Sequence, residues 1–172
     1  LAEHAVVVVG AGPVGLSLAI DLAQRGQAVV LLDDADRIGE GSRAICFSKR
    51  SLEFWDRLGI GQRMVDKGVV WSVGKIFHGE SQLYQFNLLP EQGHKRPAFI
   101  NLQQFYAEAY LVDRVEELPA IDLRWRNKVA ALESGGPAAL CTSNIGCLLH
   151  IEGGATKPMS HWIELLDERL AR

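Results

Sequence analysis

Ala5-Val-Val-Val-Val-Gly10-Ala-Gly-Pro-Val-Gly15 is the stretch that decides the fold. A β-branched run without polar alternation is the pattern of a central parallel strand covered on both faces. The glycines that follow have GxGxxG spacing, and each has a physical task. Gly10 lets the chain turn sharply out of the strand. Gly12 keeps the backbone bare so that a pyrophosphate can approach, and Gly15 lets the next helix pack close to the strand. Pro13 suits a first helical turn, and the helix is expected to reach Arg25 with Leu16, Ala19, Ile20 and Ala23 on one stripe before closing at Gly26. A second apolar strand, Ala28–Leu32, ends in Asp33-Asp34. Strand, glycine turn, helix and strand together take about 29 residues, the size of one βαβ unit.

This unit predicts a dinucleotide site. The helix N-terminus directs unpaired N–H groups and its positive dipole end at phosphates. Asp33 closes the second strand at the place where a carboxylate accepts hydrogen bonds from an adenosine ribose. An acid there also disfavours a 2′-phosphate, which argues against NADP in this site. Asp34 and Asp36 read first as solvated loop acids, and Asp34 is kept among the candidate cofactor-binding residues.

Working outward, Asp36–Arg43 is a polar glycine-containing loop. Ser48 is placed to cap a helix through Leu52, Trp55 and Leu58 to Gly59, with a short helical turn at Gln62–Lys67. Between about 69 and 99 the β-prone stretches Val69–Val73, Lys75–His78 and Leu83–Leu88 alternate with turn residues, predicting a small antiparallel β-meander. His78 and His94, in this region, read as surface histidines. Asn101 is then expected to cap a helix from Leu102 to about Glu117, with Phe105, Ala109 and Val112 facing inward. Ile121–Trp125 alternates as a half-buried strand, with Val129–Leu132 as a candidate neighbour. Beyond Ser134-Gly-Gly-Pro137 periodicity is weak until Ser160–Leu170, which has the pattern of an amphipathic helix. The predicted class is therefore α/β, a Rossmann-like βαβ unit with a parallel sheet and a small antiparallel meander. Residues 1–133 form the nucleotide-binding portion and 134–172 a divergent tail.

Bulk properties narrow the function classes. The chain has 172 residues, 48% hydrophobic and 23% charged, which suits a globular domain rather than a disordered one. A net charge of −3 gives no reason to expect a nucleic-acid partner. Cys46, Cys141 and Cys147 form no CxxC pair and no disulfide framework, so neither a metal site nor an oxidising compartment is expected. No apolar run is long enough for a membrane span, and the valine run lacks the flanks of a signal peptide. A cytoplasmic protein is the expectation.

Residues 5–133 resemble the N-terminal half of the class A flavoprotein monooxygenases, the FAD-dependent aromatic hydroxylases, and most of all the branch acting on phenols and hydroxyphenylpropionate-type acids. The residues that carry the resemblance are Val9-Gly-Ala-Gly-Pro-Val-Gly15, Leu31-Leu-Asp-Asp34, Gly41-Ser-Arg-Ala-Ile45 with Ser48-Lys-Arg-Ser-Leu-Glu53, and Asn101-Leu-Gln-Gln-Phe-Tyr-Ala-Glu108. The resemblance implies FAD as cofactor, with NAD(P)H as a transient co-substrate, O₂ as oxidant and a small phenolic ring as substrate. It implies that Arg43 lies beside the flavin and its diphosphate, where a planar guanidinium can pair with phosphate oxygens. It also implies that Gln104, or its neighbour Gln103, hydrogen-bonds the cofactor from the start of the long helix, with Gln104 favoured. No residue is identified as a catalytic acid or base.

The family pattern departs after about residue 133. Residues 134–172 contain neither the Asp-Gly nor the Gly-Asp pair that the family places next. A truncated member of the family is therefore one expectation. A non-catalytic nucleotide-binding module that forms a homodimer through Ser160–Leu170 is the alternative. An NAD-dependent dehydrogenase is a third reading, for which no second catalytic half is found.

Overall fold

In the computed structural model, which describes residues 4, 6–41, 44–129, 141–142 and 160–161, the chain divides into two compact units, Leu1–Val129 and Ala130–Arg172. The first unit opens with strand β1 (Val6–Val9), the glycine turn and helix α1 (Pro13–Gln24), followed by β2 (Val29–Leu32). A loop leads to the three-residue strand β3 (Cys46–Ser48), then α2 (Lys49–Leu58) and α3 (Gly61–Lys67). Strands β4 (Val69–Trp71), β5 (Val73–His78), β6 (Ser81–Asn87) and β7 (Phe99–Asn101) come next, then α4 (Gln104–Glu116) and β8 (Ile121–Arg124). In the second unit, β9 (Cys141–Thr142) and β10 (Ser160–His161) pair in parallel.

The predicted βαβ unit is present. β1 and β2 are parallel with Val6 opposite Val29 and Val9 opposite Leu32, and β8 joins the far side of β2 in parallel. The described strand order is β1-β2-β8, so among the described strands β2 has a neighbour on each side and β1 on one. Val29, Val30 and Leu31 are buried, whereas Val7 and Val9 are 49% and 57% exposed. A β-branched run reports strand propensity; it does not say whether a neighbour lies on each side.

The 69–99 region is not one meander. β5 and β6 form a hairpin, as two of its segments predict. β4 instead joins a separate antiparallel sheet of order β3-β7-β4, in which Phe47 and Val70 both lie opposite Ile100. β3 and β7 carry only three residues each, too few for alternation to be read. Asn101 consequently ends a strand rather than capping α4. Its Oδ1 accepts a hydrogen bond from Trp71 Nε1 at 2.9 Å, and Gln103 occupies the N-cap with no side-chain cap bond.

The start and end of α2 follow the sequence signals. Ser48 Oγ accepts the N–H of Ser51 at the start of α2, and Leu52, Trp55 and Leu58 face inward before the helix closes at Gly59. α4 stops before Pro119 but buries Ala107, Glu108, Leu111 and Val115, while Phe105 is 39% exposed. The inward stripe is therefore rotated from Phe105, Ala109 and Val112. The observed row Ala107, Leu111 and Val115 has helical i, i+4, i+8 spacing, and Glu108 is buried beside it.

α1 packs against the parallel sheet, α2 and α4. Leu16, Ile20, Leu31, Leu52, Leu58, Met64, Ile100 and Leu111 are fully buried there. Each large apolar side chain so buried contributes about 1.5–3 kcal/mol. Trp55 Nε1 donates to Ser17 Oγ at 3.2 Å, so the one polar atom that α1 buries in this seam is satisfied.

A second polar anchor was not foreseen. Arg96, 4% exposed, makes a bidentate pair with Asp56 and donates to Gln62 Oε1 at 2.9 Å, joining the segment before β7 to α2 and α3. Lys95 adds an ion pair to Asp56 at 3.1 Å. The hydrogen bond from Arg96, seconded by Lys95 and opposed by burial, holds the Asp56 carboxyl below the ordinary carboxylate range.

Ser160 and His161 are extended and paired with Cys141 and Thr142, so the terminal helix does not begin at Ser160. The rest of that expected helix, and Ala130–Leu132, lie outside the described residues. Among the described residues no helix is long and apolar enough to cross a membrane.

Candidate nucleotide-binding site

The site forms where β1 and β2 end together. Gly10 donates its N–H to Leu32 O at 2.7 Å, which stitches the mouth of the turn to the end of β2. Its φ of +100° is a left-handed value that favours glycine. A Cβ on Gly15 would collide with the Gly10 carbonyl, so the tight helix–strand contact predicted for this position exists. A Cβ on Gly12 would meet nothing within 4 Å, which leaves open space above the backbone where a phosphate would come.

Gly12 is the N-cap of α1 and makes no side-chain cap bond, Pro13 occupies the first turn, and that turn contains no acid. The helix therefore presents its N-terminal N–H groups and its dipole without an internal anion to satisfy them. An anionic ligand is what such an end accepts.

Asp33 stands across from the turn. Its Oδ2 accepts the N–H of Ala11 at 2.5 Å and its Oδ1 accepts the N–H of Ala35 at 2.9 Å. The Asp33 N–H bonds to Arg124 O at 3.1 Å and its carbonyl accepts from Asn127 N–H at 2.8 Å, so the residue is held on both sides by the end of β8. A carboxylate has about four acceptor sites. Two are engaged by backbone, and the remaining lone pairs suit a vicinal pair of hydroxyls. Ala11 as the partner that aims this carboxylate was not read from the sequence; an N–H between two glycines carries no side-chain signal.

Asp34 is exposed beside it. Asp36 is engaged by Arg37 at 3.9 Å and Arg126 at 3.5 Å, and Glu40 by Arg37 at 2.6 Å, so these loop acids are partnered on the surface. His78 and His94 are exposed. Arg43 lies outside the described residues.

The segment that follows Arg43 is nevertheless tied to the start of α4. Leu102 N–H donates to Ile45 O at 2.6 Å and Gln104 N–H to Ala44 O at 3.0 Å. Gln104 Nε2 donates to Glu108 Oε1 at 2.7 Å. Among the described residues no hydrogen bond joins Gln104 to the glycine turn, but α4, which Gln104 begins, packs beside α1. Glu108 is the polar residue of this region that carried no role in the sequence reading; its i+4 spacing from Gln104 was the available signal.

Residues 3–139 match the family of FAD binding domains. The chain belongs to this FAD-binding domain family. As an FAD-binding domain it is 25% identical over 165 residues to para-nitrophenol 4-monooxygenase of Pseudomonas sp. strain WBC-3, covering 94% of this chain and 39% of that protein. Among solved structures it superposes on p-nitrophenol 4-monooxygenase PnpA of Pseudomonas putida DLL-E4 with a TM-score of 0.70 and 27% identity, covering 76% of this chain and 34% of that one. The chain thus spans little more than a third of the length of these relatives. A stretch of 46 residues is also 41% identical to the glycolate oxidase iron-sulfur subunit of Escherichia coli, 27% of this chain and 11% of that protein. A match of that extent is local. The aromatic monooxygenases account for most of the chain, in agreement with the resemblance carried by the glycine turn and by Asn101–Glu108.

Proposed function

We propose that residues 1–133 form the FAD-holding portion of an aromatic-ring hydroxylase, with 134–172 as a separate tail, and that the glycine turn and Asp33 grip the adenosine diphosphate half of the cofactor. The observation that carries this reading is the Asp33 carboxylate held against Ala11 N–H, at the mouth of an uncapped helix with open space over Gly12. In it, Gly10, Gly12, Pro13 and Gly15 shape the diphosphate cradle, and Asp33, with Asp34 adjoining, receives the ribose hydroxyls. Arg43 and Gln104 border the flavin end. Bound FAD supplies the redox and oxygen-activating chemistry, while the protein's part is binding, orientation and exclusion of water.

NAD(P)H is the proposed transient reductant and a small phenol the proposed substrate, by analogy with relatives named for nitrophenol oxidation. Because the chain spans about a third of those relatives, the role assigned to its own residues is cofactor binding, and hydroxylation is assigned to the assembled family fold. FAD titrated into the protein should lose fluorescence with 1:1 saturation in the micromolar range, and NADP should not displace it. A chain that binds NADP as readily as FAD would contradict the role of Asp33.

A further inference from the structure

We propose that Glu108 is a positioning residue for Gln104, fixing its amide so that the Oε1 faces the cofactor and accepts a hydrogen bond from it; the cofactor half of this rests on the reading that Gln104 borders FAD. Glu108 lies one helical turn beyond Gln104 in α4 and is 7% exposed. Its Oε1 takes the Gln104 Nε2–H at 2.7 Å, and Gly39 in the loop after β2 comes close enough that a Cβ there would lie 3.9 Å from Oε2. The carboxylate therefore lies between α4 and that loop, bonded to Gln104.

The polarity of the pair follows from chemistry rather than from coordinates alone. A carboxylate only accepts, whereas an amide has a donating end and an accepting end. The Nε2 end must face Glu108, because the reversed amide would set two oxygens together. The Gln104 backbone is anchored separately, its N–H bound to Ala44 O at 3.0 Å. With both ends of the residue tied, Oε1 is the group left to meet a ligand. It recognises a donor, such as a ring N–H or a hydroxyl of the cofactor, and it repels phosphate oxygens. Glu108 thereby sets which part of FAD can lie at the head of α4.

The test combines FAD affinity with nuclear magnetic resonance of the ligand-free protein. Glu108→Gln lets the amide turn either way, and Glu108→Asp keeps the charge but shortens the reach; if one fails to fold, the other serves. Each is expected to weaken FAD binding about three- to tenfold, the scale of one hydrogen bond. Neither should weaken it further in a Gln104→Ala background, the non-additivity of residues acting as a unit. Without FAD, the side-chain amide resonances of Gln104, identified by their loss in Gln104→Ala, should move in both Glu108 variants. Equal weakening with and without Gln104, or unmoved amide resonances, would overturn the positioning role while leaving the FAD site standing. FAD binding by Gln104→Ala as tight as the parent's would remove Gln104 from the cofactor and overturn the proposal from the other side.

Discussion

Asp33 and Gly15 make contrasting residue-scale predictions. Asp33 gives its carboxylate to Ala11 and Ala35 N–H and, in the proposed complex, to ribose hydroxyls. Asp33→Ala should weaken FAD binding by about 1–3 kcal/mol, the scale of lost hydrogen bonds to a charged group, measured by calorimetry. Gly15 acts on the fold instead. A methyl group there meets the Gly10 carbonyl, so Gly15→Ala should cost about 1–3 kcal/mol of stability in urea unfolding. These positions were legible from spacing alone, because a tight turn, a bare backbone and a terminal acid are requirements of the chemistry. Ala11 was not legible, and Glu108 showed only through its i+4 spacing from Gln104. One acts through a backbone N–H common to every residue type, and the other is a buried acid where the helix pattern demands an apolar side chain.

The elements separate in the same way. α1, α2 and β8 were legible because each shows its period, and β2 because an apolar run ends at Asp33; α2 also carries its own boundaries in Ser48 and Gly59. β3 and β7 are three residues long, and their pairing joins positions about fifty residues apart, which no local window contains. The same non-local character hides Arg96, whose partner Asp56 lies on another element. Arg96→Met should destabilise the protein by about 3 kcal/mol, the lower end for a buried pair losing one member, since Lys95 remains beside Asp56. The pair also sets a pH dependence. The Asp56 carboxyl is lowered in the folded protein, so its stabilisation is present above the unfolded value near 3.9 and is lost as the pH falls through the lower folded value. Urea midpoints between pH 6 and pH 3 should therefore fall less steeply in Arg96→Met than in the parent.

At the scale of the whole molecule, apolar side chains stand exposed on several elements of the first unit, most densely on the β5–β6 hairpin. Val7 and Val9 lie on β1, and Val73, Ile76, Phe77, Leu83 and Tyr84 on the β5–β6 hairpin. Exposed apolar strands favour association. Phe77→Lys should reduce concentration-dependent association in sedimentation while leaving FAD affinity within about twofold, since β5 and β6 pack chiefly on each other. Cofactor binding itself stabilises the native state, by about 2.7 kcal/mol at FAD concentrations one hundred times the dissociation constant. Whether the glycine turn holds the FAD diphosphate, as proposed, is decided by a fluorescence-quenching titration of FAD into the parent and into Gly12→Val. The side chain added at residue 12 enters open space in the free protein but would occupy the proposed phosphate position in the complex. The parent should bind saturably and Gly12→Val at least about tenfold more weakly, the scale of a lost charge-assisted hydrogen bond. Equal affinity in the two proteins would contradict the proposal.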